Sequence, residues 1–285
     1  MINDIFAEIQ AREKAFTKAE RKVADFIMKS PRDAMYMSIT DLAERCGVGD
    51  TSVFRFCRTL KLNGYQDFKM LLAQSLSNNN DSNGITLSDE IDLNDTTDDV
   101  CQKLMNTDVA ALTQTRDLIQ KDDIKRATEM IESARMIHFF GVGSSGIMAL
   151  EAQNKFARIL PNVVCMQDSH MQAMSSALMN ADDLAVAFSY SGSTKDVIDI
   201  MKRVRHNHAK SICITRYAES PLTSLADVVL LCGANEGPFQ GGSLSAKISQ
   251  LYLLDILYTE FFKHHYKLCD ANKKKTTESI ATKLL

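Results

Sequence analysis

Hydrophobic positions follow different patterns in the two halves of the chain. Up to about residue 76, apolar residues recur three or four positions apart, and no stretch alternates with a period of two. Farther along, short apolar runs are separated by stretches with helical spacing; these runs are 136–140, 163–166, 184–188, 211–214 and 228–231. The pattern predicts a small all-α domain followed by an α/β three-layer sandwich, in which helices cover both faces of a parallel sheet.

A polar, acidic segment separates the two patterns. Residues 77–84 contain turn and coil formers with no apolar residue to bury, and residues 77–99 hold seven acids and no base. The flanking parts, 1–76 and 100–285, each carry a net charge of +2, so the overall charge of −3 does not argue against nucleic-acid binding. We expect domains at 1–76 and 97–285, joined by a linker at 77–96.

Composition excludes several classes of protein. No apolar run approaches the roughly 18 residues of a membrane span, and the N-terminal segment is amphipathic rather than a signal peptide, which predicts a cytoplasmic protein. The seven cysteines include no C-x-x-C pair, and Cys46, Cys57, Cys165 and Cys213 lie in apolar stretches. We therefore expect reduced cysteines, with no disulfide framework, metal site or cofactor.

Two predicted helices near residue 50 have the spacing of a helix-turn-helix. Ser38 begins a capping box with Asp41, and the first helix, 39–46, ends at Gly47. The second begins three residues later, buries an apolar stripe and exposes hydroxyl and guanidinium groups, as a recognition helix in the major groove does. Asp50 places an anion near the DNA, so we expect moderate affinity per copy and a dimer on two half-sites. The candidate DNA contacts are Ser38, Thr51, Ser52, Arg55, Arg58 and Lys61.

Two hydroxyl-rich loops follow predicted strands of the second domain. The first, GVGSSG at 141–146, fits a dinucleotide fingerprint, with Asp168 near the position of a ribose-binding acid. The second, SYSGST at 189–194, has no role in dinucleotide binding. Both loops would lie at the carboxyl ends of parallel strands and beside helix N-termini, where free amides favour an anion. Together they suit a single phosphate group.

Several motifs resemble a known family. Residues 17–27, 37–44, 53–60 and 64–69 are similar to the N-terminal domain of RpiR-family bacterial transcription regulators. The loops resemble the SIS (sugar isomerase) domain, which follows the helix-turn-helix in that family; the resemblance covers about residues 100–265. It implies a DNA-binding transcription regulator controlled by a sugar-phosphate effector, acting as a homodimer or homotetramer on operator DNA.

The resemblance also implies roles for individual residues. Ser145, Ser189, Ser191 and Thr194 match phosphate-binding positions, and His170 and Glu236 match positions that can face the sugar. Lys247 stands where many relatives have arginine. With the neighbouring loop donors, the predicted effector site comprises Gly143, Ser144, Ser145, His170, Ser189, Ser191, Ser193, Thr194, Glu236 and Lys247.

Two alternative functions remain at this stage. SIS domains also occur in sugar-phosphate isomerases, for which Glu236 or His170 could act as the base. A fused helix-turn-helix is unexpected in such an enzyme, so we expect no enzymatic activity. The second alternative is a repressor that senses a dinucleotide through the GVGSSG loop.

Overall fold

The computed structural model describes residues 4–78, 91–92, 94–233, 244–281 and 283. The chain divides into two compact units, with the boundary after Thr107. Most of the predicted linker, residues 79–90 and 93, lies outside the described residues, and its extent stays a prediction.

The N-terminal unit is all-α over its described residues, as the hydrophobic spacing predicts. Two of its helices begin with complete capping boxes, in which Thr17 pairs with Glu20 and Ser38 pairs with Asp41. The helices are α1 (Ile5–Ala11), α2 (Lys18–Lys29), α3 (Pro31–Tyr36), α4 (Ile39–Arg45), α5 (Asp50–Thr59), α6 (Tyr65–Asn78) and α7 (Thr97–Leu118), which continues past the unit boundary.

The core of this unit is built around α5. Its predicted stripe of Val53, Phe56, Cys57 and Leu60 is fully buried. The Phe56 ring lies 5.2 Å from Phe16 and 5.7 Å from Phe68, measured between centroids, and is one of the largest buried side chains of the unit. Burying three or four apolar side chains on one face leaves the opposite face of α5 free for solvent or a partner.

The C-terminal unit alternates helices with strands, which confirms the predicted α/β sandwich. All strands are parallel, in the order β2-β1-β3-β4-β5, and each boundary lies within one residue of the predicted run. The elements are α8 (Lys121–Ser133), β1 (Ile137–Phe140), α9 (Ser144–Phe156), β2 (Val163–Cys165), α10 (Ser169–Ala177), β3 (Leu184–Phe188), α11 (Lys195–His206), β4 (Lys210–Thr215), β5 (Val228–Leu231), α12 (Leu244–His264) and α13 (Tyr266–Ala281).

Alternate side chains of the sheet enter two separate cores. Phe139 and Val186 pack in one core with residues of α8, α9 and α12, while Phe140 and Ala187 pack in the other with residues of α11. The strand order reverses between β1 and β3, which pair directly, with Phe140 opposite Ala187. In open α/β sheets, ligands bind outside the carboxyl ends of the strands at such a reversal.

Candidate functional site

The loop after β1 brings the backbone close to the start of α9. A β-carbon built on Gly141 would lie 2.5 Å from the carbonyl oxygen of Ser145, so only glycine fits there. Gly143 has a φ of +57° and is the N-cap of α9. Ser144 and Ser145 therefore lie in the first turn, where amide groups have no partner within the helix and attract an anion.

A buried glutamine holds this loop. Gln172 of α10 is 1% exposed, and its Nε2 donates a hydrogen bond of 2.8 Å to the Gly141 carbonyl. The Gly141 amide donates to Gln172 Oε1 at 3.3 Å, so one side chain satisfies both backbone groups of the loop residue. Gln172 was not among the residues predicted from the sequence, although a polar residue on the inner side of a helix, two positions after His170, is a signal for such a role.

The loop after β3 is a tight turn made largely of hydroxyl residues. Ser189 is buried and its Oγ donates to Thr194 Oγ1 at 3.4 Å. The Ser193 amide donates to Ser191 Oγ at 3.2 Å, and Gly192 has a φ of +60°. Thr194 is the N-cap of α11, with no capping bond from its own side chain. The loop thus places the N-terminus of α11 and several hydroxyl groups at the carboxyl ends of the strands.

The two loops start from neighbouring strands. Because β1 and β3 pair in parallel, their ends lie roughly 4.8 Å apart, and residues 141–145 and 189–194 leave the sheet at the same edge. Neither loop contains a charged side chain. The arrangement offers neutral hydroxyl and amide donors from two helix N-termini, which is a chemistry suited to a phosphate group.

The other predicted effector residues occupy different elements. His170 is exposed in the first turn of α10, which follows β2, and Lys247 is half-buried near the start of α12. The neighbouring Ala246 forms a small buried cluster with Ala111 of α7, and Tyr190 of the second loop packs against this cluster. Glu236 lies outside the described residues.

Asp168 caps a helix. Its Oδ1 accepts a hydrogen bond of 3.0 Å from the Met171 amide, as the N-cap of α10. The capping bond gives Asp168 a structural role that requires no dinucleotide.

The helix-turn-helix has the predicted turn. Gly47 has a φ of +61°, and the Val48 amide donates to the Ala43 carbonyl at 2.9 Å, which ends α4 in a Schellman motif. Gly49 is the N-cap of α5 without a side-chain bond, and Asp50 follows it. The Thr40 hydroxyl donates to the Asp50 carboxylate at 3.1 Å, so the acid at the helix start has a local partner.

The structure separates one predicted DNA contact from the others. Ser38 is only 4% exposed, and its hydroxyl accepts the Asp41 amide at 3.0 Å, so the structure uses it to cap α4. Lys61 follows the last turn of α5 with a φ of +63°. Thr51, Arg55, Arg58 and Lys61 are exposed, and Ser52 is half-buried.

The far end of α5 is anchored to α1 and α2. Thr59 donates its hydroxyl to Glu20 Oε1 at 2.8 Å, and Arg12 Nη1 donates to the Thr59 carbonyl at 3.1 Å. Burial tends to raise the pKa of Glu20, but hydrogen bonds from Thr17 and Thr59 and the charge of Arg55 outweigh it and lower the pKa. The carboxylate therefore stays ionised beside the recognition helix.

The described residues contain neither a candidate membrane span nor a candidate metal site. Among the described helices, none combines the length and apolar character that a bilayer crossing requires. Within the same residues, His, Cys, Asp and Glu form no group of three or more that could hold a metal ion.

Comparisons with known proteins agree with both halves of the fold. Residues 3–79 match the helix-turn-helix domain of the rpiR family, and residues 130–260 match the SIS domain. An uncharacterised HTH-type transcriptional regulator of Clostridium perfringens is 35% identical over 93% of this chain and 94% of its own length. The chain belongs to the RpiR family. Its two domains are those of a transcriptional regulator.

Further similar proteins have a name or a bound ligand that indicates their own function. The HTH-type transcriptional regulator HexR of Pseudomonas aeruginosa is 33% identical over 90% of this chain and 89% of its own. The structure of Vibrio vulnificus NanR complexed with ManNAc-6P has a TM-score of 0.88 and 28% identity, covering 99% of this chain and all of that one. A sugar-phosphate isomerase-like protein of Listeria monocytogenes, 15% identical with a TM-score of 0.54, shares only the fold of the SIS domain.

Proposed function

We propose that this regulator binds operator DNA through α5 and is controlled by a sugar phosphate bound at residues 143–145 and 189–194. The observation that carries the proposal is the side-by-side position of the two hydroxyl loops at the β1/β3 reversal, in a chain that also contains a helix-turn-helix. The complex of the relative NanR with ManNAc-6P supports a phosphosugar as the ligand class.

In this proposal the phosphate is bound by neutral donors. The first-turn amides of α9 and the hydroxyls of the second loop surround one anion, and Gly143 has no side chain to obstruct it; the residues are Gly143, Ser144, Ser145, Ser189, Ser191, Ser193 and Thr194. His170, Lys247 and Glu236 are proposed to contact the sugar. Lysine contributes a point charge at its position, without the two parallel hydrogen bonds that arginine forms.

The DNA contacts are proposed for the exposed face of α5 and its C-terminal end. Arg55 and Arg58 are placed to recognise guanine or phosphate, with Thr51, Ser52 and Lys61 around them. Ser38 is assigned to capping. A homodimer or homotetramer then places two such helices on two half-sites of an operator.

Control by the effector requires a difference in affinity between two states. A sugar phosphate changes DNA binding only to the extent that it binds the DNA-competent and incompetent arrangements unequally. The same coupling requires operator DNA to change sugar-phosphate affinity by an equal factor. Measuring both affinities, each with and without the other ligand, checks this reciprocity directly.

We propose that the protein is not an enzyme. An isomerase would interconvert aldose and ketose phosphates through a general base. Incubating the purified chain with a panel of hexose and pentose phosphates and detecting interconversion by NMR would refute this part of the proposal. Stabilisation by NADH but by no sugar phosphate, in a thermal-shift titration, would favour the dinucleotide alternative.

Two variants test the separation of roles. We expect Arg55→Ala to weaken operator binding by about 10-fold or more without changing sugar-phosphate affinity. We expect Ser191→Ala with Thr194→Ala to weaken sugar-phosphate binding without changing the basal affinity for operator. Equal loss of both activities in either variant would contradict the assignment.

A further inference from the structure

An aromatic side chain lies on the exposed side of the recognition helix. Phe54 of α5 is 45% exposed, whereas Phe56, two residues later, is fully buried. Successive helical residues are about 100° apart, so Phe54 lies roughly 40° from Arg58 around the helix axis. Phe54 therefore borders the face that carries the proposed DNA contacts.

Two neighbouring residues lie close to the Phe54 ring and leave it partly exposed. The guanidinium carbon of Arg58 lies 5.8 Å from the ring centroid, within the range of a cation–π contact. On another side the ring meets Gly64, where an added β-carbon would lie 3.7 Å from Phe54 Cε2. Because glycine has no side chain, it leaves that part of the ring open.

Exposure alone gives a phenylalanine no function, since single apolar side chains are common on protein surfaces. The position of Phe54 adds a second consideration. A helix in the major groove meets polar base edges and one apolar group, the C5-methyl of thymine, which small or aromatic apolar side chains contact. A ring fixed beside an arginine on this helix has the chemistry for that contact.

We propose that Phe54 determines sequence specificity by contacting a thymine methyl group in the major groove, next to the base or phosphate bound by Arg58. The inference rests on the proposed function, in which α5 enters the groove. The contact would add a preference for thymine at one position of the operator. Removal of the thymine methyl group should therefore weaken binding only when the Phe54 ring is present.

The test removes the methyl group from DNA and the ring from the protein. A high-affinity duplex is first selected from a random-sequence library with the full-length chain, and each dT is then replaced singly by dU, which keeps the O4 acceptor and lacks the methyl. For the unmodified protein we expect one replacement per half-site to lower affinity about fourfold, the equivalent of one buried methylene-sized group. For Phe54→Ala we expect that replacement to have no effect.

Two control variants make the result specific. Met70 of α6 is 51% exposed and lies outside α5, so Met70→Ala should retain the full dU effect. Phe54→Leu keeps an apolar side chain and should retain part of it. Circular dichroism of each variant confirms that the exposed substitution leaves the helices intact.

The possible failures are distinguishable. If the selection enriches no sequence, the proposed DNA-binding function is wrong. If a sequence is enriched but no dT→dU replacement lowers affinity, or if Phe54→Ala loses affinity equally for dT and dU duplexes, then the methyl contact is wrong while the DNA-binding function stands.

Discussion

A β-carbon built on Gly192 would lie 2.6 Å from the β-carbon of Ser220, so the turn after β3 packs directly against the segment after β4. Gly192 also has a φ of +60°. We expect Gly192→Ala to destabilise the second loop by several kcal/mol, because it adds a clash to a conformation that itself costs about 1 kcal/mol. The measurement is sugar-phosphate affinity together with the thermal midpoint.

Two variants separate the clash from the backbone conformation. Gly143 has a φ of +57° with a ψ of −132°, outside the left-handed helical region, and an added β-carbon would meet nothing within 4 Å, so Gly143→Ala should cost about 1–3 kcal/mol from the backbone conformation alone. Adding Ser220→Gly to Gly192→Ala removes the two nearest atoms, leaves Thr215 Oγ1 at 3.2 Å, and should recover most of the difference. If the stability is not recovered, the backbone conformation at position 192 accounts for the loss instead of the clash.

Gln172 should control the shape of the first loop. Gln172→Ala leaves the buried amide and carbonyl of Gly141 without their partner, which we expect to cost about 3 kcal/mol. Hydrogen exchange of residues 141–146 should rise and sugar-phosphate affinity should fall. Gln153 of α9 is a matched control, because its Oε1 has no hydrogen-bond partner among the described residues, and Gln153→Ala should leave loop exchange unchanged.

Lys69 should make the N-terminal unit more stable at alkaline pH. The residue is 8% exposed, and burial lowers the pKa of its ammonium group from 10.5 to about 8, although Asp41 acts in the opposite direction. At Lys69 the unfolded chain therefore binds more protons between pH 8 and 10.5, and the contribution of this group to stability rises through that window by at most about 3 kcal/mol. The buried Cys57 thiol, whose pKa is raised to about 12, contributes in the opposite direction above pH 9. Urea-dependent hydrogen exchange of α2 to α6 at several pH values measures the rise.

Lys69→Met should remove that dependence and stabilise the unit below pH 8. Lys69 Nζ donates to the Met37 carbonyl at 3.2 Å, but the Tyr65 hydroxyl also donates to that carbonyl at 3.1 Å, so the variant leaves it paired. An unchanged pH slope in Lys69→Met would assign the titration to another group.

Lys61 should contribute to DNA affinity at the expense of stability. Its φ of +63° is a conformation that glycine adopts without strain, so Lys61→Gly should raise the stability of the N-terminal unit by up to about 1 kcal/mol. If the lysine contacts a phosphate, the same change should weaken operator binding and reduce the salt slope by about one. His208 has a φ of +59° after α11, and His208→Gly should stabilise its unit without changing DNA binding.

The three central strands, β1, β3 and β4, were predicted closely because they are almost continuously buried. β3 has five buried residues in succession, bounded by polar residues, and its predicted and observed limits are identical. The capping boxes at Thr17 and Ser38 are local too, although only the second was predicted from its spacing. Patterns among residues that are near one another in the sequence were sufficient to predict the fold class and the positions of the strands.

The parts of the site that the sequence did not reveal depend on distant contacts. Gln172 is 31 positions from Gly141, and Glu20 is 39 positions from Thr59, so no local pattern relates them. Ser38 was predicted both to begin a capping box and to contact DNA; the structure shows the capping bond and an exposure of 4%, which disfavours the DNA contact. Whether such a hydroxyl is accessible to DNA depends on its burial, and the burial of a single polar side chain can be read only from the tertiary structure.

The absence of charge in the two hydroxyl loops affects how the regulator responds to the ionic strength of the cell. Each lysine or arginine that neutralises a DNA phosphate releases counterions condensed on the DNA, whereas a small sugar phosphate carries no such condensed layer and meets neutral donors in both loops. A rise in intracellular potassium should therefore weaken operator binding strongly and weaken sugar-phosphate binding, to which Lys247 would bring one charge, much less. A cell under osmotic stress would then sense its sugar phosphate at nearly the same threshold, with a weaker transcriptional response.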